Sequence, residues 1–552
     1  MTKPKQANSL VMQATILATA TIVSRIIGMV YNIPLVNILG DLGSGYYGAA
    51  QTIYALVLIV AALSIPAAVS KIISERLMLK EYKNAQRIFK CSMIYVAIVG
   101  GVCAIATFIL APYIVKGSTN AVLSLRVLTP TIFLSSILSV YRGYFQAYGD
   151  MVPTSMSQIV EQIFNAIFSI GATLLFIHLA MQMGNAEESA KYGAAGGTLG
   201  TGIAVIAGLI YVMYIYQKRK PEIRRNITSD TTKELLRYRT ILKILFIIVS
   251  PMILSACIYN INVSVDMIIY LNIMESKGFS QDITNALYGV YNRKYMVLAN
   301  VPIGMAAAVA SAIIPGISGA YGTGNKADCN HKINQAMQLT MVLCLPSAVG
   351  LLVLAKPVVD LIYFGSIPET YYLLMLGGLS IVLYGISSVT NGVLQGIGKV
   401  NIPVINAVVA LVLHLCVLVP LLYLTDLGIY TLIIATVVYA VFMVFLNQRA
   451  VSRYLGCKLD KRAVFFVPIL SSIVMGIVAY VVYYVALKIT EYLGMSYRFA
   501  NAIGVLCAVL LAVFSYFALM MKIGGYTREH LEAFPKGNIV ANLATKMHII
   551  KE

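Results

Sequence analysis

Residues 139–149 read SVYRGYFQAYG, and residues 388–398 read SVTNGVLQGIG. Ser139, Val140, Gly143, Gln146 and Gly149 recur as Ser388, Val389, Gly392, Gln395 and Gly398 at one offset, while Arg142 becomes Asn391. A weaker echo precedes each copy. Tyr47-Gly48 recurs as Tyr288-Gly289, and Ser70, Ile72 and Ile73 recur as Ser311, Ile313 and Ile314. Small residues are common wherever membrane helices pack closely, so shared glycines alone say little. Five identities in eleven positions, at matching places along the chain, indicate a duplicated helical unit. The glycines are expected to serve backbone packing, and Gln146 and Gln395 a reciprocal polar contact.

The surroundings of these segments are apolar. The 552 residues are 59% hydrophobic and 11% charged, with a mean hydropathy of +0.82. A soluble chain carries about 25% charged residues. The long apolar runs therefore read as membrane spans, each needing roughly 20 residues. They fall near 10–39, 46–72, 88–115, 122–148, 153–182, 193–216, 240–272, 287–318, 334–355, 370–396, 402–424, 427–447, 463–487 and 497–521. Lys3 and Lys5 lead into an apolar run without a small-residue cleavage pattern, so that run is read as the first span rather than a removable leader.

The net charge of +19 is mainly a topology signal. With the N-terminus in the cytoplasm, the cytoplasmic segments hold 30 of the 41 Lys and Arg, and the outer loops hold five. This bias follows the positive-inside rule. It places both termini in the cytoplasm of a multi-pass cell-membrane protein and argues against nucleic acid as a partner.

Spans 4 and 10 carry the main echo, so spans 1–6 and 7–12 read as two copies of a six-helix unit. An even number of spans makes the copies parallel. The expected fold is an all-α polytopic membrane protein of about fourteen helices. Two six-helix lobes are related by a pseudo-two-fold axis along the membrane normal, with two added C-terminal helices. Such carriers alternate their access around a central cavity. The corresponding division is an N-terminal lobe at 1–217, a basic cytoplasmic linker at 218–239, a C-terminal lobe at 240–447, and accessory spans with a tail at 448–552.

Ionisable groups inside spans are costly and usually face a cavity or a partner. Arg25 lies near the middle of span 1, with Gly28 and Asn32 on its face by helical spacing. It reads either as a cavity cation or as half of an ion pair with Glu161 or Asp266. Span 5 carries Ser157, Glu161 and Asn165 on one face, and span 7 carries Tyr259, Asn262 and Asp266. These carboxylates can pair with Arg25, Arg142 or Arg293, or couple transport to H+ or Na+. Arg293 beginning span 8 reads as a cavity-mouth residue or an interfacial snorkel. Arg142 reads as a ligand contact or a snorkel, Lys71 as a ligand contact or a simple anchor, and His414 as a packing residue.

The eight cysteines are scattered and form no CxxC pair, so neither a zinc site nor a disulfide framework is expected. Sequences of the forms GxxxxGK[ST], HExxH and GxSxG are absent. Cofactors, metals and nucleotides are accordingly not expected, and ATP-driven transport is disfavoured.

SRIIGMVYNIPLVNILG (24–40), IPAAVSKIISE (65–75) and RGYFQAYGDMVPTSMSQIVEQ (142–162) resemble corresponding parts of the MOP-superfamily flippases. The likeness is to the Gram-positive lipid II flippase and stage V sporulation protein B group of polysaccharide transporters. It runs along nearly the whole chain and is strongest in the first five spans. The resemblance implies movement of undecaprenyl-diphosphate-linked sugars, such as lipid II, from the inner to the outer leaflet in cell-wall synthesis. Membrane lipids and cell-wall synthesis proteins are the implied partners, and the membrane potential is a possible driving force. Arg25 inherits a diphosphate-facing role from a family pattern like SRxxGxxRD. The second arginine and acidic residue of that pattern fall on Tyr31 and Asn32 here. Arg25, Asn32, Lys71, Arg142 and Arg293 are the expected substrate contacts, and Glu161, Asp266 and Asn262 the coupling or ion-pairing groups. The resemblance also implies a transporter rather than an enzyme, and a tail groove formed by spans 13 and 14. The alternatives are a cation-coupled multidrug antiporter, which would need an acidic cavity, and a non-transporting membrane scaffold.

Overall fold

The computed structural model describes residues 3–232, 234–456 and 459–524. The tail from residue 525, assigned to the cytoplasm above, lies outside the described residues. Every regular element among the described residues is helical. In order they are α1 (Lys3–Leu58), α2 (Ile65–Met78), α3 (Tyr82–Ile114), α4 (Ala121–Ala147), α5 (Val152–Gln182), α6 (Ser189–Ser229), α7 (Tyr238–Ser276) and α8 (Gln281–Gly289). They continue with α9 (Met296–Gly322), α10 (Lys326–Val353), α11 (Ala355–Ile362), α12 (Pro368–Gly396), α13 (Asn401–Leu424), α14 (Tyr430–Leu455), α15 (Val467–Tyr492) and α16 (Tyr497–Lys522).

Thirteen helical stretches among the described residues are long and apolar enough to cross a membrane, and the first runs for 60 residues. At 1.5 Å per residue that stretch measures about 90 Å, three times the hydrocarbon thickness. It contains a break at Gly40, whose backbone (φ 66°, ψ −177°) is not helical. Two spans therefore lie within it, and the count becomes the expected fourteen.

The chain forms two compact units, Met1–Arg293 and Lys294–Glu552. In the first, a core joins α2, α3, α4, α6 and α7 around Ile73, Ile88, Tyr144, Val212 and Leu245. Phe89 anchors it, with ring centroids 4.7 Å from Tyr144 and 5.2 Å from Tyr216. Helices α5 and α6 meet backbone to backbone. A Cβ on Gly196 would lie 2.4 Å from the Ala172 carbonyl oxygen, and one on Gly200 would lie 2.2 Å from the Ser169 nitrogen. Glycines four apart on one helix face permit this approach. Helix α8 closes on α1 in the same way, with the Gly45 Cα facing the Asn285 backbone.

In the second unit, α9 and α10 pack on α12, and α13 and α14 pack on each other. Helices α15 and α16 form a pair whose core includes Met475, Ala479, Ala508, Ala512 and Tyr516, together with Val342 of α10. Tyr516 donates to the Val342 carbonyl at 3.3 Å. The packing boundary at Arg293 places α7 and α8 in the first unit, whereas the lobe boundary read from the repeat falls earlier. The six-helix lobes concern duplication, and they stand as a proposal about ancestry and motion.

Within each unit the duplicated segments make the same local contacts. A Cβ on Gly143 would lie 2.8 Å from the Pro66 carbonyl oxygen and 3.0 Å from the Val69 Cβ. On Gly392 it would lie 2.8 Å from the carbonyl oxygen of Ala310, which occupies the place of Val69 in the repeat. The helix ends also agree. The Asp150 and Lys399 N–H groups donate to the Phe145 and Leu394 carbonyls, and the Gly149 and Gly398 N–H groups donate to those of Gln146 and Gln395. This is the Schellman pattern, which needs a left-handed residue, and Gly149 (φ 73°) and Gly398 (φ 76°) supply it. Near the second echo, Gln51 donates to the Tyr47 hydroxyl at 3.2 Å. Asn292 donates to that of Tyr288 at 3.1 Å, at the same offset.

Candidate substrate site

A cavity of about 390 Å³ lies inside the first unit, between α1, the short π-helical segment Ile59–Leu63, α2, α4, α5 and α6. Its polar lining includes Ser135, Ser139, Gln146, Thr154, Gln158, Gln162, Asn165 and Thr201. Arg142 and Glu161 are its charged residues. The Arg142 Nη2 donates to Glu161 Oε1 at 2.8 Å, and its Nε donates to Ser157 Oγ at 2.9 Å. Both charged side chains are 16% exposed. This settles the partner of Glu161: it is Arg142, and not Arg25. The span 5 stripe faces as its spacing suggested, with Ser157 and Glu161 directed to Arg142 and Asn165 to Tyr31.

The packing around the pair is close. A Cβ on Gly208 would meet Glu161 Oε1 at 2.6 Å, so the carboxylate rests against the bare backbone of α6. In the second unit, the position equivalent to Arg142 carries no charge. Asn391 Oδ1 accepts from Asn447 at 2.7 Å, and Asn447 Oδ1 accepts from Asn406 at 2.9 Å. Asn406 occupies the place of Ser157 in the repeat. One copy thus holds this crossing with an ion pair and the other with amides.

Gln146 departs from expectation. Among the described residues neither Gln146 nor Gln395 makes a side-chain hydrogen bond, so there is no reciprocal polar contact. Their backbone carbonyls end the helices, and the Gln146 side chain lines the cavity. Their recurrence reflects the shared helix terminus more than a shared side-chain contact.

Arg293 does not line this cavity, and its guanidinium is held by partners within the first unit. Its Nη2 donates to Asn32 Oδ1, and the Asn32 amide returns a hydrogen bond to the Arg293 carbonyl at 3.0 Å. The guanidinium stacks over the Tyr47 ring at 4.7 Å, a cation–π contact that gains strength away from water. Helical spacing puts Arg25 and Asn32 on one face, yet their surroundings differ. Asn32 is 2% exposed and bound to Arg293, while Arg25 is exposed. Among the described residues Arg25 has no ion pair or hydrogen bond from its side chain. Its neighbours on α1 face α5: Thr21 donates to Gln158 at 3.3 Å, and Gly28 approaches Gln162.

Asp266 and Asn262 are buried on α7 and do not line the cavity. Lys71 is exposed, and among the described residues its side chain has no partner, which fits an interfacial anchor. His414 is fully buried, with Nδ1 2.8 Å from the Ala435 carbonyl and its ring against Tyr439, as expected of a packing residue.

A band of neutral polar groups joins these residues and escaped the reading of charges. Asn165 donates to the Tyr31 hydroxyl at 2.8 Å and accepts from Ser169 at 2.7 Å. Gln51 bridges Tyr47 and Thr201. Thr52 meets Tyr288 at 3.1 Å, beside Asn292. The available signal was the i,i+4 pairing of Tyr, Gln and Asn within apolar runs, at Tyr47/Gln51, Gln158/Gln162 and Tyr288/Asn292. Among the described residues no group of three or more His, Cys, Asp or Glu is placed to hold a metal ion.

Helices of this number, built as two units with polar groups buried inside spans, define a polytopic membrane protein. The family model described as polysaccharide biosynthesis protein matches residues 10–320, and the MatE model matches residues 251–419. The chain belongs to the polysaccharide biosynthesis protein family. It is 28% identical to the lipid II flippase MurJ of Bacillus subtilis (strain 168), over 91% of this chain and 93% of that protein. It is 22% identical to the stage V sporulation protein B of the same organism, over 80% and 83% of the two chains. The fold is shared with a solved structure of the lipid II flippase MurJ in an inward closed conformation. The TM-score is 0.63 at 17% identity, covering 92% of this chain and 99% of that one. An inward-facing multidrug resistance MATE family transporter also shares it, with a TM-score of 0.59 at 17% identity, covering 78% and 95%.

Proposed function

We propose that the protein is a flippase that carries a lipid-linked saccharide diphosphate from the inner to the outer leaflet, with lipid II as substrate. The observation that carries this reading is the charge balance of the first unit. The two charged groups of the cavity neutralise each other, the rest of its polar lining is uncharged, and among the described residues Arg25 remains a cation without a carboxylate. A neutral, hydrogen-bonding wall suits a sugar headgroup. A spare guanidinium suits diphosphate oxygens, which it binds through two parallel hydrogen bonds. A cation antiporter would need the opposite surplus, and Glu161 is committed to Arg142.

In this reading Arg25 receives the diphosphate, and the Arg142–Glu161 pair opens a binding cation when the headgroup competes for Arg142. Lys71 acts at the interface during loading, while Arg293 with Asn32 secures α1 against the start of the π-helical segment Val290–Tyr295. Asp266 and Asn262 support α7 as it moves. No bond of the substrate is made or broken. A potential negative inside favours outward movement of an anion by about 2.3 kcal/mol per charge per 100 mV, and coupling to H+ or Na+ is not required by this scheme. The bias of Lys and Arg among the loops supports cytoplasmic termini, on the side where cell-wall synthesis proteins would deliver the substrate.

The test is translocation of lipid II by purified protein in vesicles, with Arg25→Ala and Arg25→Lys compared. Protein-dependent translocation, strongly reduced in Arg25→Ala and partly kept in Arg25→Lys, is expected. Absence of translocation by the unmodified chain rejects lipid II. Full translocation by Arg25→Ala rejects the role given to Arg25.

A further inference from the structure

The second unit carries an open groove of about 600 Å³ between α12 and α14 that the flippase reading does not use. Leu383 of α12 forms one wall, and Val441, Phe445, Gln448, Arg449 and Ser452 of α14 form the other. The volume falls within the roughly 300–1,000 Å³ of small-ligand sites. Val441 and Phe445 are 45% and 59% exposed, so a wide apolar strip is left open.

Polarity changes along the groove. From Val441 to Ser452 the rise along α14 is about 16 Å, close to the roughly 15 Å of one hydrocarbon leaflet. Its apolar end is lined by Leu383, Val441 and Phe445, and the other end by Gln448, Arg449 and Ser452. Arg453 follows one turn beyond Arg449. Lys399 joins the same end, with its ammonium 5.2 Å from the ring centroid of Tyr454. Arg449 and Arg453 are exposed, and among the described residues neither has an ion pair or a side-chain hydrogen bond. Asp426 is the sole acidic residue between Glu369 and Asp460. Behind the wall, buried Asn447 bridges Asn391 of α12 and Asn406 of α13, which holds the helices around the groove in register.

We propose that this groove is a binding site for an anionic phospholipid, with one acyl chain along Val441 and Phe445 and the phosphate at Arg449 and Arg453. Length, apolar lining and a terminal cluster of uncompensated cations match a single-leaflet lipid of negative charge. The inference rests on the membrane-spanning reading of the chain and not on the identity of any transported substrate.

The chain contains no tryptophan, so one introduced at the groove is a clean reporter. Val441→Trp protein is placed in phosphatidylcholine nanodiscs, and quenching by brominated phosphatidylglycerol is compared with quenching by brominated phosphatidylcholine. Ile105→Trp on α3, a position 63% exposed, serves as the bulk-lipid reference. The groove should prefer the anionic lipid by about 25-fold, near fivefold for each arginine, and the reference position should show no comparable preference. Arg449→Ala should lower the preference about fivefold, Arg449→Lys should retain most of it, and Arg449→Ala with Arg453→Ala should abolish it. Unchanged thermal unfolding of these variants shows that the loss is one of binding. Equal preference at the two tryptophans, or a preference that survives the double substitution, overturns the proposal. Displacement of brominated phosphatidylglycerol by an equal mole fraction of undecaprenyl phosphate overturns the phospholipid assignment in favour of a polyprenyl lipid.

Discussion

Replacing Gly143 by Ala tests the reason for the duplicated segment at atomic scale. The new Cβ would lie 2.8 Å from the Pro66 carbonyl oxygen, 2.9 Å from the Pro66 Cα and 3.0 Å from the Val69 Cβ. Ordinary carbon contacts lie at about 3.5–4.0 Å, and two of the three obstacles are backbone atoms, which cannot rotate aside. The two helices must separate by some tenths of an ångström to an ångström, and a gap of that size forfeits a quarter to a half of each contact. Overpacking of this kind costs about 1–3 kcal/mol, against a helix-propensity gain of about 1 kcal/mol for Ala over Gly. The net expectation is a loss of up to about 2 kcal/mol. Gly171, on α5, has nothing within 4 Å of its built Cβ, so Gly171→Ala keeps only the gain. Gly392→Ala, with its Cβ 2.8 Å from the Ala310 carbonyl oxygen, should behave like Gly143→Ala, and Gly350→Ala like Gly171→Ala. In a long chain with two units, one unfolding free energy is not well defined. The assay is therefore the apparent Tm of the full chain in one detergent at one scan rate, read as a ranking. The reasoning is refuted if Gly143→Ala and Gly392→Ala unfold at or above the temperatures of Gly171→Ala and Gly350→Ala.

Three further outcomes follow from the site and its supports. Glu161→Gln strands Arg142 in the cavity wall. Breaking a buried pair costs about 3–5 kcal/mol, whereas Glu161→Gln combined with Arg142→Gln should recover much of the loss, and additive Tm changes would show that the two groups do not interact. Arg293→Lys loses the guanidinium stack on Tyr47 and its fork to Asn32, so a drop in Tm is expected beyond that of Lys71→Ala; equal drops would mean that the contacts of Arg293 contribute nothing. Outside the membrane, burial of Asp230 opposes its charge. Hydrogen bonds from the Lys83 N–H at 2.6 Å and from Thr232, with the nearby Lys83 ammonium, prevail and hold its carboxyl below the usual aspartate range. Its contribution is therefore present above the unfolded pKa of about 3.9 and is lost as pH falls through the lower folded value. Asp230→Asn should lower Tm at pH 7 and flatten the decline on the acid side, and an unchanged acid limb would remove Asp230 from that role.

Much of the architecture was legible because it depends on local chemistry. Membrane spans announce themselves through length and hydropathy, and the Gly40 break explains how one very long helical stretch contains two. The repeat was readable because Gly143/Gly392 and Gly149/Gly398 are demanded by close backbone approach and by a left-handed turn, requirements that few other residues meet. Periodicity also placed Ser157, Glu161 and Asn165 on one face of α5. It misled at Gln146 and Gln395, because identity of a residue does not reveal whether its side chain or its backbone carbonyl is in use. The uncharged band of Tyr31, Tyr47, Gln51 and Thr201 went unread because neutral polar residues cost less to bury than charges and stand out less against an apolar run.

What the sequence determined by itself is the number of spans, their duplication and the few charges placed within them. Helical spacing states which residues share a face, but it carries no record of which other helix that face meets. Only the tertiary structure decided that Glu161 meets Arg142 and that Asn32 and Tyr47 hold Arg293. Each of those outcomes rests on contacts between residues 19 to 261 positions apart, where the approach of whole helices selects the partner. The arginine that distinguishes the first copy from the second thus changed its meaning: Arg142 was legible as a broken repeat, and the fold made it half of an ion pair.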